Sequence, residues 1–272
     1  MTELLPPGDL RVELKSNDPL HGISFRLDRI LWQAKSTEAV PQSNLLKFIY
    51  IRALPNGGPE VTAASSVAML HIGPFATSCT GVLVDPKTVA TNYHCIEKSF
   101  SFRATEQANK PSCADVLIEF DYLAPDQRGS TSSCIGVRAK KELDVALLTF
   151  DPDAIQIAPG KARVPVKIRP ATEGPATLMR LIHHPLGLPL VLEDSCSVKG
   201  VEQEDFLHDC NSTPGSSGSP LFDDQMRWTG LHYKGPFPNT WTLQEWYDDF
   251  IKNGPRYNRA KLSQAVSQFL NE

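Results

Sequence analysis

A serine in a short turn is the residue of this chain best suited to chemistry. Ser217 lies in the segment GSSGSP (215–220), with glycines on both sides of it. Such glycines permit a sharp turn, which can expose the hydroxyl and direct the backbone N–H groups of Gly215 and Ser217 toward one point. A flexible surface loop has a similar composition. The rest of the chain must therefore decide whether this serine reacts.

Two other segments supply the partners that a reactive serine needs. A serine hydroxyl is a poor nucleophile until a base takes its proton and a further group orients that base. The segment VATNYHC (89–95) places His94 at the end of an apolar strand. The segment ELDVALLTF (142–150) places Asp144 before an aliphatic run, where an unpaired carboxylate would be costly. Each residue alone could be structural, but together they predict a catalytic triad of His94, Asp144 and Ser217.

The order of these residues along the chain distinguishes among folds. Subtilisin-type enzymes have the order Asp, His, Ser, and α/β-hydrolases have the order Ser, acid, His. The G-x-S-x-G turn of α/β-hydrolases is also broken, because Ser219 stands where its second glycine would be. The order His, Asp, Ser is that of the chymotrypsin-like double barrel.

The elements that must position these residues are mostly strands. From about residue 65, short aliphatic and β-branched runs are separated by Pro, Gly, Asp and Asn, without helical periodicity between them. This pattern predicts an all-β fold, either an antiparallel barrel or a sandwich. The proline-rich segment 151–170 is interpreted as a connector between two β halves. A C-terminal helix is predicted from an apolar stripe formed by Leu262, Ala265, Val266, Phe269 and Leu270.

Residues 1–64 have a different texture and are interpreted as a partly helical N-terminal extension. Apolar residues at helical spacing predict an amphipathic helix over 23–35. The segment SNLLKFIYIRAL (43–54) fits either a second helix or a buried strand. The segment PNGGPE (55–60) breaks the chain and marks a boundary. We expect this extension either to pack on the following domain or to dock a protein partner.

Charge and hydropathy argue against two classes of partner. The formal net charge of −4 and the pI near 6.0 argue against nucleic acid, whose binding proteins carry a basic footprint. No window of about 18 apolar residues occurs, so we expect no membrane span. The first residues, MTELLPPGDLRVELK, lack the basic-then-apolar order of a secretory signal, which predicts a cytoplasmic location as the sequence is written.

The six cysteines indicate the opposite compartment. They form three near pairs, and spacing alone does not choose among the alternative connectivities. If each near pair is bonded, each bond would stabilise the fold by about 3 kcal/mol on the chain-entropy model. Such bonds would favour an oxidising, extracytoplasmic compartment, so the location stays open. The pairs are Cys79/Cys95, Cys113/Cys134 and Cys196/Cys210.

Three segments resemble the signature blocks of trypsin-like serine peptidases: CTGVLVDPKTVATNYHC (79–95), DVALL (144–148) and GSSGSP (215–220). Within that family the chain is most similar to the bacterial branch that includes the glutamyl and lysyl endopeptidases. It shares with them HHP (183–185) and GLH (230–232). The resemblance covers about residues 65–270 and does not extend to residues 1–64.

The resemblance implies two six-stranded antiparallel β-barrels with the active site in the cleft between them. The first barrel would span about 65–160, the second about 161–257, and the C-terminal helix 258–270. His94 and Asp144 would come from the first barrel and Ser217 from the second. The resemblance also implies a Cys79–Cys95 disulfide that braces the strand ending at His94, and it leaves the other four cysteines open.

The activity that the resemblance implies is hydrolysis of protein or peptide substrates through an acyl-enzyme, without a cofactor. His94 would move the proton, Asp144 would orient the imidazole, and the N–H groups of Gly215 and Ser217 would hold the oxyanion. A metal site is not expected, because the histidine pair at 183–184 has no HExxH or CxxC beside it. A turn before Pro185 is the better interpretation of that pair.

The first specificity pocket, which receives the P1 side chain of the substrate, is assigned from the same resemblance. Glutamyl endopeptidases use a histidine at the position of His232, with a hydroxyl nearby, to receive an acidic P1 side chain, and Lys234 would add positive charge. Lysyl endopeptidases also have that histidine and add a pocket aspartate, for which Asp248 or Asp249 are candidates. We expect an acidic P1 preference, with a packed strand histidine as the alternative. The pocket residues would be Ser212, Thr213, His232, Tyr233, Lys234 and Gly235.

One departure from the family concerns activation. In trypsin an aspartate precedes the nucleophile and pairs with a new N-terminus after zymogen cleavage. Here that position is Ser216, which cannot form the ion pair, so we expect activity not to await that switch. A second class of function is a catalytically silent trypsin-like binding module, or a protease effector docked to a larger assembly through residues 1–64. The intact triad favours the endopeptidase.

Overall fold

Antiparallel strands dominate the computed structural model, which describes residues 48–73, 77–97, 113, 115–155, 163–169, 177–235 and 257–272. The strands are β1 (Ile49–Tyr50), β2 (Val67–Ile72), β3 (Thr77–Asp85), β4 (Thr88–Thr91), β5 (Val116–Phe120), β6 (Ser130–Lys140), β7 (Val145–Phe150), β8 (Leu178–His183), β9 (Val191–Glu202), β10 (Asp205–His208), β11 (Pro220–Phe222), β12 (Trp228–Lys234) and β13 (Asn258–Leu262). The helices are α1 (Pro59–Ala64), α2 (Tyr93–Glu97) and α3 (Ser263–Asn271). The predicted all-β class is confirmed. The predicted helix over 23–35 and the candidates Asp248 and Asp249 lie outside the described residues.

The first barrel closes in the order β2-β3-β4-β7-β6-β5. Strand β7 is buried on both faces, because Ala146, Leu148 and Phe150 fill the barrel while Val145 and Leu147 join a cluster shared with the second barrel. A strand covered on both faces has no reason to alternate apolar and polar residues. This is why VALLTF is apolar almost throughout.

The second barrel closes in the order β8-β9-β10-β13-β12-β11, through the additional pairing of β9 with β8. The prediction of two six-stranded barrels is therefore confirmed. The C-terminal helix begins at Ser263, not at 258, because residues 258–262 form β13 and pair with β10 and β12. Without that strand the barrel would stay open. The helix buries Ala265, Val266 and Phe269, as the apolar stripe predicts.

The described end of the N-terminal extension packs on the barrels. Strand β1 adds to β9, with Ile49 opposite Leu192 and Tyr50 opposite Val191. The chain continues as a short 3-10 turn, Ile51–Ala53. Of the segment 43–54, the described residues 48–54 therefore contain a two-residue strand followed by this turn, and residues 43–47 lie outside the described part of the chain. Ile51 and Ala64 are buried in the cluster between the barrels.

Three disulfides link the near cysteine pairs. They join Cys79 to Cys95, Cys113 to Cys134 and Cys196 to Cys210, with Cα–Cα distances of 6.3, 5.6 and 4.6 Å. The first ties β3 to α2, directly beside His94. In the described part of the chain, no helix is long and apolar enough to cross a bilayer.

Candidate active site

His94, Asp144 and Ser217 form one continuous chain of hydrogen bonds. The Nδ1 atom of His94 lies 2.7 Å from Asp144 Oδ2, and its Nε2 lies 2.9 Å from Ser217 Oγ. His94 comes from α2 and Asp144 precedes β7, both in the first barrel, while Ser217 precedes β11 in the second. The fold thus brings together three side chains that are far apart in sequence.

The Asp144 carboxylate sets the orientation and tautomer of the imidazole. Its Oδ1 accepts the backbone N–H of His94 at 2.9 Å, and Oδ2 faces Nδ1. An ionised carboxylate only accepts hydrogen bonds, so Nδ1 carries the ring proton and Nε2 is left as an acceptor for the Ser217 hydroxyl. Asp144 itself is in the left-handed region (φ 52), and its carbonyl accepts Asn92 Nδ2 at 3.2 Å.

The two glycines around Ser217 are required by both conformation and space. Gly215 has φ 95 and Gly218 has φ 84, backbone conformations that residues other than glycine rarely adopt. A Cβ on Gly215 would lie 2.6 Å from the carbonyl oxygen of His184, and one on Gly218 would lie 2.1 Å from that of Thr80. The glycine pattern therefore reflects a tight turn pressed against neighbouring backbone.

Thr80, a residue of β3 that sequence reasoning missed, holds this turn from the first barrel. Its N–H donates to the carbonyl of Ser217 at 2.8 Å, and its Oγ1 donates to the carbonyl of Gly215 at 2.9 Å. Among the described residues, the backbone N–H groups of Gly215 and Ser217 donate to no protein acceptor. They are available to an oxyanion.

His232 is buried on β12 and bonded to a second histidine, His208 of β10. The Nδ1 atom of His232 lies 3.1 Å from His208 Nε2, and sequence reasoning missed this partner. Burial, and after it the charge of nearby His94, lower the pKa of His232 to about 3. The ring is therefore neutral, and its Nε2 has no hydrogen-bond partner in the part of the chain that the structure describes.

The other predicted pocket residues have separate partners. The Ser212 hydroxyl donates to Asn258 Oδ1 at 2.9 Å, and Asn258 is opposite His208 in the β10–β13 pair. The Tyr233 hydroxyl donates to an Asp205 carboxylate oxygen at 2.7 Å, on the face of β12 opposite to His232. Thr213 Oγ1 donates to a neighbouring backbone carbonyl, Lys234 is exposed, and Gly235 is half-buried.

The histidine pair at 183–184 lies beside the turn rather than in the triad. His183 ends β8, and a 3-10 turn, Pro185–Gly187, follows, so the turn begins at Pro185 where the sequence predicted one just before it. Both imidazoles are buried: Nδ1 of His183 lies 2.7 Å from Ser216 Oγ, and Nδ1 of His184 lies 2.9 Å from the carbonyl oxygen of Leu188.

Four buried histidines predict that mild acid destabilises the protein. Burial lowers the pKa of His184 to about 4 and that of His232 to about 3, and it holds the pKa of His183 and His208 well below the usual value. In the unfolded chain each protonates near pH 6.5. The unfolded state therefore takes up protons first, and stability is full above pH 6.5 and falls as the pH is lowered toward 4.

The expected slope is about 1.4 kcal/mol per pH unit for each of these histidines. Urea unfolding at pH 7.5 and pH 5 measures it in a window where carboxylates of the unfolded chain are still mostly ionised. A His184→Gln variant should show a shallower slope than the parent protein. Equal free energies of unfolding at the two pH values would contradict this prediction.

Comparison with known proteins agrees with this architecture. Residues 79–231, more than half of the chain, match the family described as trypsin-like peptidase domain. Among solved structures, the serine endoprotease from Yersinia pestis is 14% identical with a TM-score of 0.55, covering 80% of this chain and 66% of that one. A Glu endopeptidase in complex with MPD is 17% identical with a TM-score of 0.55, covering 79% and 93%. The active form of the Rv3671c protease from M. tuberculosis is 14% identical with a TM-score of 0.52, covering 78% and 82%.

At these identities the structural neighbours establish the fold alone. Among curated protein sequences, none matches the chain.

Proposed function

The chain belongs to the trypsin-like peptidase family, and we propose that it is a serine endopeptidase whose triad is His94, Asp144 and Ser217. The observation that carries this proposal is the unbroken chain of hydrogen bonds from the Asp144 carboxylate through the imidazole to the Ser217 hydroxyl. The backbone N–H groups of Gly215 and Ser217, which donate to no acceptor among the described residues, lie in the same turn.

Acylation begins when Ser217 Oγ attacks the carbonyl carbon of the scissile peptide and His94 Nε2 takes the hydroxyl proton. The N–H groups of Gly215 and Ser217 hold the oxyanion, and each donor contributes about 3 to 4 kcal/mol to the transition state. The Asp144 carboxylate stabilises the imidazolium. The imidazolium then protonates the leaving amine as the C–N bond breaks, which leaves the acyl-enzyme.

Deacylation repeats the same steps with water. His94 Nε2 takes a proton from the water as its oxygen attacks the ester carbonyl, and it returns that proton to Ser217 Oγ when the ester bond breaks. The products are a free carboxylic acid and the restored serine. These proposed reaction steps use only the triad, the two backbone N–H donors and water.

An acidic P1 preference is part of the proposal and is supported by the state of His232. If His208 Nε2–H donates to His232 Nδ1, then Nε2 of His232 carries a proton that can be donated to a substrate carboxylate. A carboxylate in the pocket would also favour protonation of His232, and the exposed Lys234 adds positive charge nearby. One of the similar structures is that of a Glu endopeptidase. That specificity belongs to the other protein, and it motivates a test of P1 preference here.

Cleavage-site profiling with a diverse peptide library tests activity and P1 preference together. We expect cleavage after Glu and Asp, and we expect His232→Leu to lower kcat/KM for a Glu substrate by at least about tenfold relative to its Gln analogue. Tyr233→Phe is the matched control, because its hydroxyl bonds Asp205 on the other face of β12.

Each outcome of the profiling has a distinct meaning. Cleavage after Lys or after apolar residues would retain the peptidase and reject the acidic pocket. Absence of both cleavage and labelling by a fluorophosphonate would instead favour the catalytically silent binding module.

A further inference from the structure

Ser216, which precedes the proposed nucleophile, is fully buried and bonded on every side. Its Oγ lies 2.7 Å from His183 Nδ1 and accepts the backbone N–H of Thr213 at 3.1 Å. Its own backbone N–H donates to the carbonyl of Thr213 at 3.0 Å, and its carbonyl accepts the backbone N–H and the hydroxyl of Ser219. Hydrogen bonds of its hydroxyl, N–H and carbonyl groups therefore hold Ser216 in one position within the turn.

The direction of the His183–Ser216 bond follows from the available partners. No other acceptor for the Ser216 hydroxyl proton exists among the described residues, so the hydroxyl donates to Nδ1 of His183. The imidazole then carries its proton on Nε2, which is buried and has no partner within the described part of the chain. This bond requires a neutral ring, and burial holds the pKa of His183 well below its usual value.

His183 is supported by the N-terminal extension. The Phe48 ring packs edge-on against the imidazole, with ring centroids 5.0 Å apart and planes at 83°. Phe48 leads directly into β1, which pairs with β9 at Val191, and Val191 pairs on its other side with His183 of β8. Strand β1 of the extension and strand β8, which ends at His183, therefore pair with opposite edges of β9 at the same residue.

We propose that His183 is a positioning residue for the oxyanion-binding turn, holding Ser216 in place and itself held by Phe48. The inference rests on the proposed function, because Ser216 lies between the two proposed oxyanion donors. Its peptide bond to Ser217 carries one donor N–H, and Gly215, which carries the other, is bonded to it on the opposite side, so a shift of Ser216 displaces both. A histidine and the segment at 48–50 thus take the place that an N-terminal amine has in trypsin. The turn is set without cleavage of the chain.

The test measures kcat per titrated active site in the full chain. His183→Leu removes the acceptor and fills the site with an apolar side chain, and we expect it to lower kcat by about 10- to 100-fold with KM within about twofold. The Ki of a peptide aldehyde, whose hemiacetal oxygen occupies the oxyanion position, should rise by a similar factor. His183→Asn, which returns a polar atom near the position of Nδ1, should recover most of the loss. A merely structural role would lower the fraction of active sites and leave kcat per site unchanged.

Two further variants keep the proposal testable if His183→Leu does not fold. Ser216→Ala removes the hydroxyl that His183 bonds and should reproduce the loss of kcat. Phe48→Ala should lower kcat several-fold, whereas Leu178→Ala, an exposed apolar residue at the start of β8, should match the parent protein.

The results separate failure of this inference from failure of the proposed function. An active parent protein together with unchanged kcat and aldehyde Ki in the foldable His183 and Ser216 variants overturns the positioning role alone. A parent protein that neither cleaves peptides nor labels with a fluorophosphonate overturns both.

Discussion

Replacing Ser217 with alanine abolishes peptide hydrolysis, with an expected loss in kcat of about a million-fold, while the fold remains intact. In the proposed mechanism Ser217 Oγ attacks the carbonyl carbon and gives its proton to His94 Nε2, which lies 2.9 Å away. Alanine has no hydroxyl, so the variant can make neither the attack nor the proton transfer. Peptide turnover measures the loss, and intact-mass analysis after fluorophosphonate treatment shows whether an adduct forms.

Ser195→Ala is the matched control for that experiment. Ser195 is an exposed serine of β9 whose hydroxyl donates to the nearby Glu193 carboxylate, away from the triad. This variant should retain both turnover and labelling. Undiminished turnover in Ser217→Ala would refute the assignment of the nucleophile.

Replacing Asp144 with asparagine should lower kcat by about ten-thousand-fold at neutral pH without unfolding the protein. The carboxylate accepts two hydrogen bonds from His94, one from the backbone N–H and one from Nδ1. An amide offers one acceptor oxygen and one donor nitrogen, so one of these bonds is lost or reversed. If the amide N–H faces Nδ1, the ring proton moves to Nε2, where the imidazole cannot accept the Ser217 proton.

Glu142→Gln controls for the loss of one negative charge. Glu142 is an exposed residue of the 3-10 turn that ends at Asp144, and its replacement should change kcat by less than about twofold. Measurement of kcat for both variants across pH 6 to 9 completes the comparison. Equal losses in the two variants would mean that Asp144 has no specific role in orienting the imidazole.

The grouping of His94, Asp144 and Ser217 was accessible to sequence reasoning because each of these residues has a distinctive local context. Glycines at positive φ mark the Ser217 turn, and apolar strands flank His94 and Asp144. These contexts are local, and the chain order then selects the double barrel that joins them. The strand pattern predicted an all-β fold and left a barrel or a sandwich open, and the two six-stranded barrels were implied by the resemblance to trypsin-like peptidases.

Thr80 and His208 were not accessible, because their roles arise from non-local neighbours. Thr80 acts mainly through one backbone N–H and one hydroxyl on a strand where any β-branched residue fits the local pattern. His208 is a single histidine in a four-residue strand. It meets His232 only because β13 places β10 and β12 on either side of itself.

The misplaced helix start has a similar cause. The segment NRAKL (258–262) alternates residues that are buried and half-buried, and it runs without a break into a true helical stripe. The strand period of two residues and the helical period of 3.6 residues both fit so short a segment. It forms a strand because it pairs with β10 and β12 and so closes the second barrel. Short elements of this kind are decided by partners that are far away in the sequence.

Closure of the second barrel by β13 has a consequence for the synthesis of the protein. This strand is the last of the chain's strands to be translated among the described residues, and it lies between β10 and β12, which carry His208 and His232. A chain whose translation has not reached β13 therefore already contains His94, Asp144 and Ser217. It lacks the strand that joins β10 to β12 and closes the second barrel. Under the proposed function, we therefore expect a nascent chain to lack peptidase activity until β13 has joined the second barrel.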